Sequence, residues 1–286
     1  QPIYVVSKSR WHNFTTPGAL DACGVDYYVV CEESQYAEYV NVLGEDKVLI
    51  LPQKYLDEYE TFDDVGNERS KGPGAARNFC WDHAIETGFD WHWVMDDNIK
   101  EFLRFNKNVR VRAESGSIFR AAEDFVDRFE NIAVSGLQYR MFCAPLTPLP
   151  PYALNTRIYS CLLINNKVPY RWRGRYNEDT DLSLRVLKDG WCTLQFNAFL
   201  CDKLVTQALT GGNTEAFYAH EGTTNKSTML RDMHPDVARV AMKYGRVHHY
   251  VDYGPFKNNK LIIKDEFKDM SDKPKINNYG MELIEI

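Results

Sequence analysis

Asp96-Asp97-Asn98 places two carboxylates and an amide directly behind the apolar run Trp91 to Met95. Hard oxygen ligands of this kind suit Mg²⁺ or Mn²⁺ bridging to phosphates better than a thiolate- or imidazole-rich zinc site would. Asp and Asn also favour turns, so a plain strand-to-loop turn is the competing reading. A second segment is Gly72-Pro73-Gly74-Ala75-Ala76-Arg77-Asn78. If it opens a helix, the free backbone N–H groups and the positive helix end favour an anion, and Arg77 adds a charged fork suited to a diphosphate. Gly and Pro are common at helix starts, however, and Arg77 paired with a surface acid is the alternative. The third segment runs from Arg173 to Arg185 and contains Asn177-Glu178-Asp179-Thr180-Asp181. Its acids suit the cap and first turn of a helix behind them, which accounts for Asp181. That reading leaves the order and spacing of the three segments unexplained.

The elements that must carry these residues alternate in the first third of the chain. Ile3 to Ser7 and Tyr27 to Cys31 are short β-branched runs that predict buried strands, the second closed by Glu32-Glu33. Ser34 can cap a helix through Tyr36, Tyr39, Val40 and Leu43, with Gly44 as its stop. Val48 to Leu51 predicts a third strand. The Gly72 segment predicts a helix whose Ala76, Phe79, Cys80, His83 and Ala84 share a face, ending at Gly88. Trp91 to Met95 predicts a fourth strand. Strand and helix in alternation imply a parallel sheet with helices on its faces, and ligands of such sheets sit beyond the carboxyl ends of the strands. Lys8 and Arg10, Glu32 and Glu33, and Asp96 and Asp97 all follow strands, so they are expected to converge on one rim.

Further along, Ile118, Ala121, Ala122, Phe125, Val126 and Phe129 predict an amphipathic helix. Ile132 to Val134, Ile158 to Ile164 and Trp191 to Phe196 read as strands, and a helix behind Asn177 closes at Gly190. Another helix is expected from Pro235 to Gly245, and the polar segment after about Lys264 reads as a tail or arm.

Lys and Arg number 34 against 40 Asp and Glu, a net charge of −6, which excludes a globally basic nucleic-acid binder. The 44% of apolar residues is enough for a sizeable core, so disorder is not the default. Apolar stretches such as Tyr27 to Cys31 are strand-length, far short of the roughly 20 residues a membrane helix needs. The residues after Gln1 show no charged and apolar leader pattern, so secretion has no support. The seven cysteines contain no C-x-x-C pair and read as reduced core residues, which suits a cytoplasmic protein.

An acid after the second strand, A-A-R-N, a strand ending D-D-N-I, and E-D before L-S-L-R with a following G-W together resemble the nucleotide-sugar glycosyltransferases of the GT-A fold, especially family 2. More narrowly, G-P-G-A-A-R-N, M-D-D-N-I and Y-N-E-D-T-D-L-S-L-R, with Tyr244-Gly245-Arg246-Val247-His248-His249, resemble the bacteriophage TET/JBP-associated glycosyltransferases. Members of that group are thought to glycosylate hydroxymethylated DNA bases. The resemblance implies an α/β, mostly parallel sheet of Rossmann type in residues 1–263, with a nucleotide-binding half to 105, a catalytic and acceptor half from 106, and a tail over 264–286. It implies Glu32 or Glu33 at the uracil edge, Ser7, Lys8 and Arg10 beside the nucleoside, Arg77 near the diphosphate and Asp96 at the ribose. It also implies Asp97 on a divalent cation, Mn²⁺ or Mg²⁺, with Asn98 standing where many relatives carry another Asp, hence a loosely held ion. His220 is the first choice to complete the metal site, with His248 and His249 as alternatives. Asp179 matches the general base of inverting members, with Glu178 orienting it or holding an acceptor hydroxyl.

The implied partners are a nucleotide-sugar donor, with UDP as the nucleotide, and phage DNA carrying 5-hydroxymethylcytosine. Phosphates need local cations. Lys100, Arg104, Lys107, Arg110 and Arg112 supply one group, and Arg171, Arg173 and Arg175 another beside Trp172, which is expected to stack on an extruded base. A solvated charged face is the alternative. The same catalyst acting on a polysaccharide, lipid-linked sugar or protein is a rival reading, and a non-catalytic nucleotide-binding domain is a second. A sugar nucleotidyltransferase is disfavoured because Ser7-Lys8-Ser9-Arg10-Trp11 is not a G-x-G-T-R-like loop.

Overall fold

The β-branched and aromatic runs of the first third form four parallel strands, β1 (Ile3–Val6), β2 (Tyr28–Glu32), β3 (Val48–Leu51) and β4 (Trp91–Asp96). The computed structural model describes residues 1–13, 15–63, 70–106, 109–204, 224–243 and 245–268. Six more strands complete one ten-stranded sheet: β5 (Ile99–Asn106), β6 (Val109–Arg112), β7 (Ile132–Tyr139), β8 (Tyr152–Leu154), β9 (Cys161–Asn165) and β10 (Cys192–Lys203). The order is β3-β2-β1-β4-β9-β7-β10-β5-β6, with β8 on β10. This is the mixed α/β sheet expected of a GT-A fold.

Side chains alternate across the strands, so the sheet has two apolar faces. Ile3, Val5, Trp93 and Met95 face one core, where they meet Leu20 of α1 (Thr15–Ala22), Tyr39 of α2 (Tyr36–Leu43) and Ile118, Ala122 and Val126 of α5 (Ser117–Val126). Tyr4, Val30 and Val94 face the other, against Ala76, Cys80 and Trp81 of α4 (Gly74–Glu86) and Leu182 and Val186 of α6 (Glu178–Lys188). A short helix, α3 (Gln53–Glu58), packs on α4. All seven cysteines are unpaired and buried. No helix among the described residues is long and apolar enough to cross a membrane.

Gly72 and Gly74 have packing reasons of their own. Gly72 has φ +82, and a Cβ there would lie 2.9 Å from the Arg175 carbonyl oxygen. A Cβ on Gly74 would come within 1.9 Å of the Tyr59 hydroxyl. Tyr59 is buried and donates to the Gly174 carbonyl at 2.8 Å, so it cannot simply swing away. Gly74→Ala is expected to cost about 1–3 kcal/mol of stability by overpacking, read from a urea unfolding curve.

The C-terminal part departs from the sequence expectation. The helix expected from Pro235 to Gly245 is instead a hairpin of β11 (Ala238–Lys243) and β12 (Arg246–Val251). Gly245, at φ +70, is the turn of that hairpin and not a helix stop. The Ala/Met/Lys-containing run has helix propensity, but six register pairs with the Val/His/Tyr run behind it outweigh a local preference. The helix lies just upstream as α7 (Thr224–Met233). Leu230, Val237, Ala238 and Phe256 from this region bury Leu184 and Leu187 on the outer side of α6. Residues 262–264 lie along the end of α5, with a bridge between Phe129 and Ile263. The expected tail over 264–286 falls outside the described residues beyond 268.

Candidate active site

Sheet order brings distant residues to one rim. The ends of β1 and β4 pair in register, Val6 with Asp96, so Ser7 stands beside the D-D-N turn. Because β9 runs antiparallel to β4, it is its start that reaches this rim, and the Asp96 N–H donates to the Ser160 carbonyl at 2.8 Å. β7 and β10 run the other way to β9, so their ends, Tyr139 and Lys203, arrive there as well. Thr16 at the start of α1 fixes the turn itself, donating from Oγ1 to the Asp96 carbonyl at 2.6 Å and accepting from the Ile99 N–H at 2.8 Å.

Arg77 is the hub of the acidic groups. It projects from the buried face of α4, 3% exposed, and donates from Nη1 to Glu178 Oε1 and from Nη2 to Asp96 Oδ1, both at 2.9 Å. Its guanidinium lies 4.8 Å above the ring of Trp172. Asn78, the last residue of A-A-R-N, accepts from the Trp172 N–H and donates to its carbonyl, which holds that ring in place. The motif is therefore a scaffold for Arg77, and its helix start is packed against Tyr59.

The two carboxylates of D-D-N are bound from opposite sides of β4. Asp96 Oδ2 accepts from Lys203 Nζ and from Ser160 Oγ, each at 2.7 Å, and the Tyr139 and Ser160 hydroxyls are 2.6 Å apart. Asp97 accepts from Ser7 Oγ at 2.8 Å and from Arg10 Nη1 at 2.5 Å, within the loop that follows β1. That loop is pinned to α2, since the Tyr39 hydroxyl accepts from the Arg10 N–H at 3.1 Å and bonds Ser7 at 2.6 Å. Asp97 sits among the residues expected at the nucleoside, and Asp96 sits with Arg77, Glu178 and Lys203. Glu32, half-buried at the end of β2, pairs with Lys8 at 2.6 Å, whereas Glu33 is exposed.

Ser9, Ser160 and Asn177 border the site, and each holds a positive φ, +56, +60 and +54. Residues other than glycine adopt this region at a cost of order 1–3 kcal/mol, and such outliers cluster at functional sites. Asn177 is fixed there by donating to the Lys226 carbonyl at 2.7 Å.

Electrostatics separates the carboxylates. Burial, reinforced by the adjacent Asp179 carboxylate, raises Glu178 to about 7 against the pull of Arg77. Burial also raises Asp179, opposed by Arg77 and Lys226. At Asp96 burial acts in the same direction, but Lys203 and Arg77 outweigh it and hold the carboxyl well below its usual range. Asp179 Oδ1 accepts from the Thr180 N–H at 2.8 Å, and its Oδ2 has no partner among the described residues. The pair at the start of α6 is thus one acid tied to Arg77 and one with an oxygen to spare.

The D-D-N oxygens do not form a divalent-cation cage in this arrangement. All four carboxylate oxygens of Asp96 and Asp97 already accept from Arg77, Lys203, Ser160, Arg10 or Ser7. Only the buried Oδ1 of Asn98 lacks a partner, and one amide oxygen is a poor anchor for a hard cation. No group of three or more His, Cys, Asp and Glu among the described residues is placed to hold a metal. His220 lies outside the described residues. His248 and His249 are on β12, and burial beside Lys226 and Arg157 lowers His249 to about 4.

Burial removes Trp172 and Arg175 from the expected acceptor contacts. Trp172 is 2% exposed beneath Arg77 and cannot stack on an incoming base. Arg175, equally buried, is engaged by Asp63 at 2.6 Å, and Arg173 reaches Asp181 at 3.1 Å. Arg171 pairs with Asp82 and covers Trp81. Arg175 thus serves the interior of the fold, a role its clustering in sequence did not disclose, whereas Arg171 and Arg173 are ion-paired with 40% and 29% of their side chains exposed. Of the other basic run, Lys100 pairs with Asp202, Arg110 donates to the Cys143 and Arg140 carbonyls, and Lys107 lies outside the described residues. The side of α6 bearing Asp179 is instead lined by Tyr159, whose hydroxyl is 3.4 Å from Thr180 Oγ1, and by Arg157, 5.1 Å above the Tyr159 ring.

A sequence profile of the TET-Associated Glycosyltransferase family matches residues 1–212, well over half of the chain. The chain belongs to that family. It is a glycosyltransferase, which implies a sugar donor and an acceptor, and the non-catalytic alternative is set aside. No curated protein sequence matches it. The matched residues of this TET-associated glycosyltransferase include Arg77, Asp96, Asp97, Glu178, Asp179 and Lys203, while α7, β11 and β12 lie beyond them.

Proposed function

We propose that this TET-associated glycosyltransferase moves a sugar from a UDP-sugar to the hydroxyl of 5-hydroxymethylcytosine in phage DNA, with inversion at the anomeric carbon. The observation that carries the reading is the spare carboxylate oxygen of Asp179 beside the Arg77–Glu178 pair. A hydroxyl is a poor nucleophile, so Asp179 takes its proton as the oxygen bonds to the anomeric carbon. The bond from that carbon to the diphosphate breaks, and its electron pair leaves with the terminal phosphate oxygen. Glu178, held by Arg77, orients the start of α6. Ser7, Lys8, Arg10, Glu32 and Asp97 form the nucleoside side of the cleft. The choice of DNA rests on the narrower resemblance and on the family's association with TET. Cations for the acceptor phosphates come from Arg157 and Lys226, on the Asp179 side.

The test is incubation with a panel of UDP-sugars and DNA containing 5-hydroxymethylcytosine, followed by mass spectrometry of the nucleosides. A hexose adduct on that base is expected; no adduct with any donor, alongside turnover on a polysaccharide, lipid-linked or protein acceptor, would reject DNA. A retained anomeric configuration on NMR would reject inversion.

The raised carboxyls set an acid limit on activity. A base must be ionised to accept a proton, so kcat/KM is expected to fall as pH drops below about 7, where the Glu178–Asp179 pair takes up a proton. Glu178→Gln removes the like charge next to Asp179 and is expected to move this limb to lower pH. An unmoved limb in the pH–rate profile would separate the two groups.

A further inference from the structure

Lys203 ends β10, where the pairing with β5 shifts register between Asp202 and Lys203. Irregularities of this kind re-aim side chains next to sites. Its ammonium sits 2.7 Å from Asp96 Oδ2 and 2.7 Å from Ser160 Oγ, while Arg77 occupies Asp96 Oδ1. Lys203 and Asp96 are 17% and 26% exposed at their side chains, so the pair reaches solvent at the rim and is not sealed in the core. Two positive groups thus flank one carboxylate, and Arg77 is shared with Glu178. Ser160, held at positive φ and bonded to Tyr139, fixes the geometry from below.

The geometry points to Lys203 as the group that binds the donor's diphosphate, with Asp96 as its holder and the buried Arg77 adding positive charge from behind Asp96, in place of the divalent metal that the resemblance implies. The inference rests on the proposed donor chemistry only as far as a diphosphate leaving group, and not on the DNA acceptor. When the bond from the anomeric carbon to the donor oxygen breaks, the electron pair stays on the terminal phosphate. The fixed ammonium and guanidinium stabilise that charge without transferring a proton. The carboxylates of D-D-N then serve to orient cations that the chain itself supplies.

Calorimetric binding of UDP, GDP and inorganic pyrophosphate to the full chain tests this, in EDTA and then with Mn²⁺ or Mg²⁺. At least one is expected to bind in EDTA, with an affinity that added metal changes by less than about threefold. Lys203→Met is expected to weaken that binding about ten- to a hundredfold, as loss of a charged hydrogen bond does, and Lys203→Arg to restore most of it. Circular dichroism and Tm establish that the variants are folded; the wild-type measurement in EDTA needs no variant. Binding that vanishes in EDTA and returns with Mn²⁺ overturns the proposal, as do undiminished binding by a folded Lys203→Met and no binding of any probe in either buffer. Diphosphate binding without DNA glycosylation leaves this inference standing and rejects only the acceptor.

Discussion

Asp179→Asn is expected to lower turnover by about 10² to 10⁴-fold while leaving UDP affinity nearly unchanged, the usual span for loss of a general base. The substitution is close to isosteric, and the retained amide oxygen can still accept from the Thr180 N–H that Asp179 Oδ1 bonds at 2.8 Å. What disappears is the carboxylate oxygen left without a partner among the described residues. Loss of the charge also relieves Glu178, which burial and Asp179 together raise to about 7. Because Arg77 keeps both Glu178 and Asp96, the donor side is untouched. Steady-state kinetics paired with calorimetry separates the two effects; full turnover in a folded variant rejects Asp179 as base. Weakened UDP binding with normal turnover would place its function on the donor instead.

Asp181→Ala is expected to cost about 3–5 kcal/mol of stability, the range for breaking a buried ion pair by removing one partner. Asp181 is fully buried, forms an ion pair with Arg185 at 2.8 Å, and accepts from His234 Nε2 at 2.9 Å and Arg173 at 3.1 Å. His234 follows α7, so this carboxylate ties α6 to the C-terminal region that also covers Leu184 and Leu187. Burial works to raise Asp181, but the three basic partners outweigh it and depress its pKa. A carboxyl depressed on folding adds stability above its unfolded value, and that stability is lost as pH falls through the folded one. The variant should therefore differ most from the parent near neutral pH and converge with it in acid. Urea unfolding at pH 7 and at pH 3 reads both; a loss below about 1 kcal/mol at pH 7 would mean that apolar packing alone docks the region.

Local signals carried much of this fold. Alternation of β-branched runs with helices ending at Gly44 and near Gly88 predicted β1 to β4, α2 and α4, and the convergence of Lys8, Arg10, Glu32, Asp96 and Asp97 followed from strand ends alone. The strand expected over Trp191 to Phe196 continues instead to Lys203, past register shifts that no period of two reveals. The helix expected up to Gly245 failed for a related reason, since a hairpin is decided by its partner strand.

By itself the sequence determined that a parallel α/β half presents acids and an arginine at one rim, because caps, periodicity and motif order are properties of contiguous residues. Only the tertiary structure decided which way those groups face. Asp96 and Asp97 are chain neighbours, yet one is claimed by Lys203 across the sheet and the other by Arg10 beside β1. Trp172 and Arg175, which read as exposed in a basic stretch, are interior because α4 and Asp63 cover them. Contacts between residues a hundred positions apart follow from strand order and register, and these are set by the packing of the whole sheet and not by any segment of it.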